Sequence, residues 1–481
     1  MNINIFSLLF LLLSPVLFLG EISSDSMWDK SWFHAAAFVS LTLSSVFVII
    51  SKFVYLFDIR LFQLSGFTVI FYVVMLLLPS PWVYADNPNL HRDNYLVIVI
   101  ISLLLTILGC ILSSSLFFTL FGFKNKSEKW LNQETITMSI IDKYYVLLLL
   151  IFSIVIMIAY IRELGVLPIF QAISGQYTSL ELAQSREDAF KLFESPIKRG
   201  VGYVSNLIFP LVTTVLLMKM EKSRNKKIWS FIFILSFICN IFLASITLEK
   251  SPVAILLIQL FLAWFLFKKH KLNIGLLSTI ISISLSFPVF VIFTVNSFTI
   301  SIYEIFVSIF VRMAYTPSKV LLAYVDYFSN NEYLWGQTLP IIAKYFLGGN
   351  VWIENIIGLT YFGSWIESIH ANVGYPGYFW ADFGWMGVII GSLLAGFLLQ
   401  LIQLTIYYLP KSPFTIALYI FAIRRCFYLT SASFPTSFIY ILQFLLLILP
   451  SIIFRPVILP ATKPATFNQI GNSGRKVNSN S

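Results

Sequence analysis

His370 and Glu367 stand three residues apart, so one helical turn would set the carboxylate behind the imidazole. A neutral imidazole accepts a proton near pH 7, and a carboxylate at that spacing can orient it, which makes the pair a candidate general base. The competing reading of His370 is a surface histidine near a membrane. Five cations point to a different chemistry. Arg186, Arg199, Lys250 and Arg312 fall in segments between apolar runs, and Lys191 accompanies Arg186. Arginine holds phosphate oxygens with two parallel hydrogen bonds and lysine adds a point charge, so these are candidate phosphate-binding residues. They could equally pair with Glu187, Asp188 or Glu304, or with lipid head groups. Trp365 is a candidate for stacking on a substrate ring, against the alternative of an interfacial aromatic belt. Asp382 stands where the chain turns back into an apolar run, as a substrate contact or as a helix cap.

The elements that must position these residues are membrane helices. The chain has 481 residues, 58% hydrophobic and 11% charged, with mean hydropathy +0.85. Soluble domains carry about 25% charged residues, so the fold class is an all-α polytopic membrane protein. Runs of about 20 apolar residues predict twelve spans, near 3–20, 33–54, 61–79, 95–121, 144–161, 200–218, 228–247, 252–267, 272–295, 384–409, 413–430 and 437–454. The span 413–430 is weakened by Arg424 and Arg425. The run from Ile3 to Gly20 lacks a basic start and a small-residue cleavage site, so it reads as a retained helix and not a signal peptide.

The net charge of +10 is spread over short loops and does not form a nucleic-acid-binding patch. Loops such as 221–227 and 268–271 are rich in Lys and Arg, and the positive-inside rule then predicts both termini in the cytoplasm. Residues 1–460 form one integral membrane domain on this reading, and 461–481 a disordered cytoplasmic tail. Two long loops, 162–199 and 296–381, face outward. The first carries an amphipathic stretch over 179–191. The second carries two short helices, 302–313 and 319–328, divided at Thr316-Pro317. Cys110, Cys239 and Cys426 lie in apolar runs as packing residues.

No phosphate-binding glycine loop, no zinc-type Cys/His spacing and no Asp-x-Asp occur, which points away from an ATP-driven motor and from metal-bound nucleotide sugars. No metal and no cofactor is expected. The run Asp382-Phe383-Gly384-Trp385-Met386-Gly387, the Glu249-Lys250-Ser251-Pro252 turn, the Arg186 loop and Arg312 together resemble O-antigen and oligosaccharide repeat-unit polymerases of the Wzy type. The resemblance implies a GT-C-like, multi-pass enzyme of the bacterial inner membrane. It would be a metal-independent glycosyltransferase that builds O-antigen or a related surface polysaccharide from undecaprenyl-pyrophosphate-linked oligosaccharide. Its partners would be that lipid-linked substrate, membrane lipids and a chain-length regulator protein. An O-antigen ligase shares the architecture, and a lipid-linked oligosaccharide flippase is the reading from another class. A flippase should carry charge at midplane depth, where these spans hold little besides Arg424 and Arg425.

Overall fold

The structure is a computed structural model that describes residues 3–53, 56, 63–121, 126–164, 196–245, 250–268, 282, 301–339, 351, 353–363, 371–432 and 434–453. Every regular element among them is helical. Eight helices are long and apolar enough to cross a bilayer: α2 (Met27–Lys52), α3 (Leu64–Asp86), α4 (Arg92–Phe121), α6 (Ile140–Leu164), α7 (Arg199–Lys222), α8 (Lys226–Ser245), α10 (Tyr303–Asn330) and α12 (Tyr375–Tyr408). Shorter apolar helices are α1 (Ile3–Ser23), α9 (Lys250–Lys268) and α14 (Phe434–Ile453), with α13 (Pro413–Leu429) between α12 and α14. Two short helices complete the set, α5 (Lys126–Asn132) and α11 (Ile353–Phe362). The chain is therefore a membrane-type helical protein. The expected span 272–295 lies outside the described residues, apart from the single helical residue Ser282, as does the 461–481 tail.

Side-chain pairing sorts the helix ends into two layers. Trp28 donates to Asp86, Tyr84 to Asp93 and Tyr315 to Asp86, which gathers the start of α2, the end of α3, the start of α4 and part of α10. At the opposite ends Trp130 donates to the Leu409 carbonyl, Lys411 to Leu131 and Lys222 to Thr135. Lys268 pairs there with Glu221. One end of the bundle is thus rich in carboxylates and the other in lysines.

The core runs between these layers and contains buried tyrosines, several with a partner for the hydroxyl, as burial of a phenol requires. Tyr72 donates to the Val99 carbonyl, Tyr324 to Ala371, and Tyr375 meets Thr106 at 2.6 Å. α4 and α12 pack in parallel. Thr106 meets the Ser392 carbonyl and Cys110 that of Gly396, so equal steps along both helices keep small residues in register.

Two features differ from the sequence expectation. The pair of helices expected over 302–313 and 319–328 is a single continuous element, α10. Pro317 does not break it, because a widened turn at Val311–Tyr315 precedes it and Pro317 then occupies the first turn of the following helix. Proline's missing N–H and bulky ring are tolerated at such a position. The second is α12, expected to start at 384. It starts at Tyr375 and folds back on itself at Gly384, whose φ of 57° and ψ of −139° suit glycine. In a straight helix residues 379 and 387 would stand about 12 Å apart. Here a Cβ at Gly387 would collide with the Phe379 carbonyl. Tyr375–Phe383 is therefore a short re-entrant arm lying against the start of the long arm, and Tyr375 through Asp382 are all buried. Such an arm is stable in a membrane protein only when protein surrounds it.

Candidate anion site at the end of α13

The end of α13 closes against the deep end of the re-entrant arm. Gly374, just before the arm, abuts the backbone of Thr430, just after α13. Ser412 caps the start of α13 through the Thr415 backbone N–H at 3.2 Å. The helix then carries Arg424 and Arg425 inward, Arg425 four residues or about 6 Å of rise before Leu429.

Arg425 is 5% exposed, and among the described residues its Nε and Nη2 have no hydrogen-bond partner, nor has Nε of Arg424. Among the described residues no carboxylate pairs with either arginine. What surrounds them is aromatic. The Arg425 guanidinium lies 4.1 Å from the Tyr440 ring centre, 4.8 Å from Phe421 and 5.2 Å from Tyr428, and Arg424 lies 5.6 Å from Tyr428. Rings stabilise a cation but do not neutralise it. Arg424 Nη2 also donates to Asn206 Oδ1 at 3.3 Å. Asn206 lies in a widened turn of α7, Val204–Ile208, a local irregularity that recurs at functional sites. Two adjacent guanidinium groups, that of Arg425 buried and that of Arg424 partly exposed, both with donors left free among the described residues, are suited to an anion with several oxygens, a phosphate or diphosphate above all.

The expected site residues distribute differently. Arg186, Trp365, Glu367 and His370 lie outside the described residues. Lys250 begins α9. Arg199 is exposed at the start of α7, and Arg312 is exposed in the widened turn of α10. No hydrogen bond or ion pair links Arg199, Arg312 and Asp382 to one another among the described residues.

Asp382 is fully buried, and three donors occupy its carboxylate. Gly336 N and Thr338 N reach Oδ1 at 3.1 and 3.2 Å, and the Thr338 hydroxyl bonds Oδ2. It clasps the loop after α10 to the far end of the re-entrant arm. It caps no helix start, since it lies near the end of that arm. A similar order holds around it. Asp326 accepts from His91 N at 2.9 Å and from Tyr361 at 2.6 Å, and Glu354 accepts from Tyr378 at 2.6 Å. Burial, and then the bound Asp326 carboxylate, raise the Tyr361 phenol above its ordinary range, so it stays a donor.

The Arg-Arg pair is legible in the sequence as an oddity in an apolar run. An ionisable residue inside a membrane segment is a functional candidate by default, and counting the pair only as a weakness of span 413–430 misses that. The described residues hold no group of three or more His, Cys, Asp or Glu that could bind a metal. Comparison with protein-family models, with curated proteins and with solved structures gives no match.

Proposed function

We propose that this chain is a membrane-embedded, metal-independent glycosyltransferase that polymerises undecaprenyl-pyrophosphate-linked oligosaccharide into O-antigen or a related surface polysaccharide. The observation that carries the reading is the Arg424–Arg425 pair, with Arg425 buried and neither arginine neutralised by a carboxylate among the described residues, since a diphosphate supplies the charge and the acceptor oxygens that the pair lacks there. The sequence resemblance in the turn around Gly384 and in the Lys250 segment supports it as well. On this reading the twelve expected spans form a GT-C-like bundle in the bacterial inner membrane. The lysine-rich end and both termini face the cytoplasm, and the acidic end faces the periplasm.

The chemistry is then a displacement at the donor's anomeric carbon. The acceptor hydroxyl gives up its proton to His370, oriented by Glu367. Its oxygen bonds to the anomeric carbon, and the bond from that carbon to the diphosphate oxygen breaks. The diphosphate leaves with the electron pair, and Arg424 and Arg425 stabilise its charge. Arg186, Arg199, Lys250 and Arg312 draw the anionic substrate to the bundle.

A second reading has an observation in its favour. A re-entrant arm whose deep end meets the end of the helix that carries Arg424 and Arg425 is also how transporters build substrate sites, which suits a lipid-linked oligosaccharide flippase. An O-antigen ligase would use the same anion site with another acceptor. One gel of surface polysaccharide from cells lacking the chain separates the three. A single capped repeat unit is expected. Complete absence of repeat units would replace the polymerase with the flippase, and polymer held on its lipid carrier would replace it with the ligase.

A further inference from the structure

Trp335 sits in a conformation that its side chain disfavours. Its φ is 50°, in the left-handed region, and Gly336 follows at 96°. Among the described residues no other residue except glycine has a positive φ. Such strain persists only where the surroundings over-determine the backbone, and they do so here. Leu334 N and Trp335 N donate to the carbonyls of Ala381 and Asp382, both at 2.9 Å. Gly336 N and Thr338 N donate to the Asp382 carboxylate, while Gln337 N and Leu339 N close the loop on Leu334 and Gly336. A glycine at 335 would adopt this φ freely, so the loop retains an indole at a position that opposes it.

That indole is displayed. Trp335 is 67% exposed, whereas Trp380, which meets the same Tyr333 ring, is 2% exposed. Tyr333 and Phe383 meet the Trp335 ring at steep angles, 89° and 71°, with ring centres 6.4 Å away in both cases. Trp335 is thus a fixed aromatic side chain on a polar loop, clasped to the far end of the re-entrant arm. The near end of that arm abuts the segment following Arg424 and Arg425. From Gly374 to Asp382 the arm rises about 12 Å. A ligand whose diphosphate lay at the arginines could extend a short oligosaccharide toward Trp335.

We propose that Trp335 is a sugar-stacking residue, against which a pyranose ring of the glycan packs its apolar C–H face. The inference rests on the diphosphate-linked glycan reading above and names where the sugars bind. An indole that only anchors the protein at a membrane interface has no need of a rigid, strained loop.

The test uses the full chain in lipid nanodiscs and two probes. One is undecaprenyl-diphosphate-linked oligosaccharide purified from cells lacking the chain, and the other is sugar-free undecaprenyl diphosphate. Trp335→Ala should weaken binding of the first about tenfold and leave the second unchanged. Trp335→Phe should retain most of the affinity. Trp335→Gly, which suits the backbone, should behave as Ala does and so excludes a folding artefact. Trp82→Ala, at another exposed tryptophan, should change neither. Unchanged binding of the oligosaccharide probe by Trp335→Ala and Trp335→Gly overturns the inference alone, as does equal weakening of both probes. A wild-type chain that binds neither probe overturns the glycan reading and this inference with it.

Discussion

Asp382 and Arg425 are both buried charges, close to opposite ends of one short re-entrant arm, and they are treated in opposite ways. Asp382 is surrounded by donors, two from backbone and one from a hydroxyl, and its charge holds a loop in place. Arg425 has aromatic rings about it and unpartnered nitrogens. A buried charge is expensive unless it is paired and hydrogen-bonded. A satisfied one contributes to the fold, and its neighbours lose if it goes. An unsatisfied one costs the fold free energy, so its retention points to a ligand that completes it. The carboxylate layer at one end of the bundle follows the first pattern, with Asp326 and Glu354 each met by a tyrosine. The end of α13 follows the second.

The sharpest way to break this contrast is to remove the cation. Arg425→Met keeps an unbranched apolar stem among Tyr440, Phe421 and Tyr428 while deleting the charge. Replacing buried charge with apolar volume is often neutral or stabilising, so the unfolding midpoint of the purified protein should hold or rise. Turnover of lipid-linked substrate should nonetheless fall about 10²–10³-fold, the usual cost of one donor to a developing anion. A variant that unfolds early, or one that turns over normally, would place Arg425 in the structural class. Asp382→Ala should give the reverse signature. It strands Gly336 N, Thr338 N and the Thr338 hydroxyl, which should cost about 3 kcal/mol and lower the midpoint in thermal unfolding. An Asp382→Ala protein as stable as wild type would remove the clasp from the account.

The sequence showed the two regions unequally, for physical reasons. Spans such as 95–121 and 144–161 are legible because about 20 apolar residues are a local property that a bilayer demands. The lysine-rich end follows from the same local counting, whereas the acidic end is not read from the sequence. The re-entrant arm is not local. Its reversal depends on the sign of φ at Gly384 and on the fit of Phe379 against Gly387, and the apolar run from 384 onward shows only the long arm. The clasp is less visible still, since Asp382 finds Gly336 and Thr338 more than forty positions back. Arg424 and Arg425 are plain in the sequence. Their lack of a counter-charge among the described residues is a relation among α7, α13 and α14, and no run of residues displays it.

The smallest expected effect tests whether the satisfied layer is graded. Asp326 uses both oxygens, Oδ1 for His91 N and Oδ2 for the Tyr361 hydroxyl, and thereby ties α11 to the start of α4 through α10. Tyr361→Phe removes one donor and leaves the other, at a partly exposed position where water can replace it. The cost should be about 1 kcal/mol, far less than at the enclosed Asp382. It should also be local, seen as faster hydrogen exchange over Ile353–Phe362 with little change in α3 or α4. The pH dependence follows from the raised pKa of Tyr361. Below about pH 10 both folded and unfolded chains keep the phenol protonated, so the difference between wild type and variant is constant. Above it the unfolded chain ionises first, and the wild-type advantage declines. Exchange over α11 identical in the two proteins would show that Asp326 needs only His91, and that the layer tolerates an unmet oxygen where Asp382 does not.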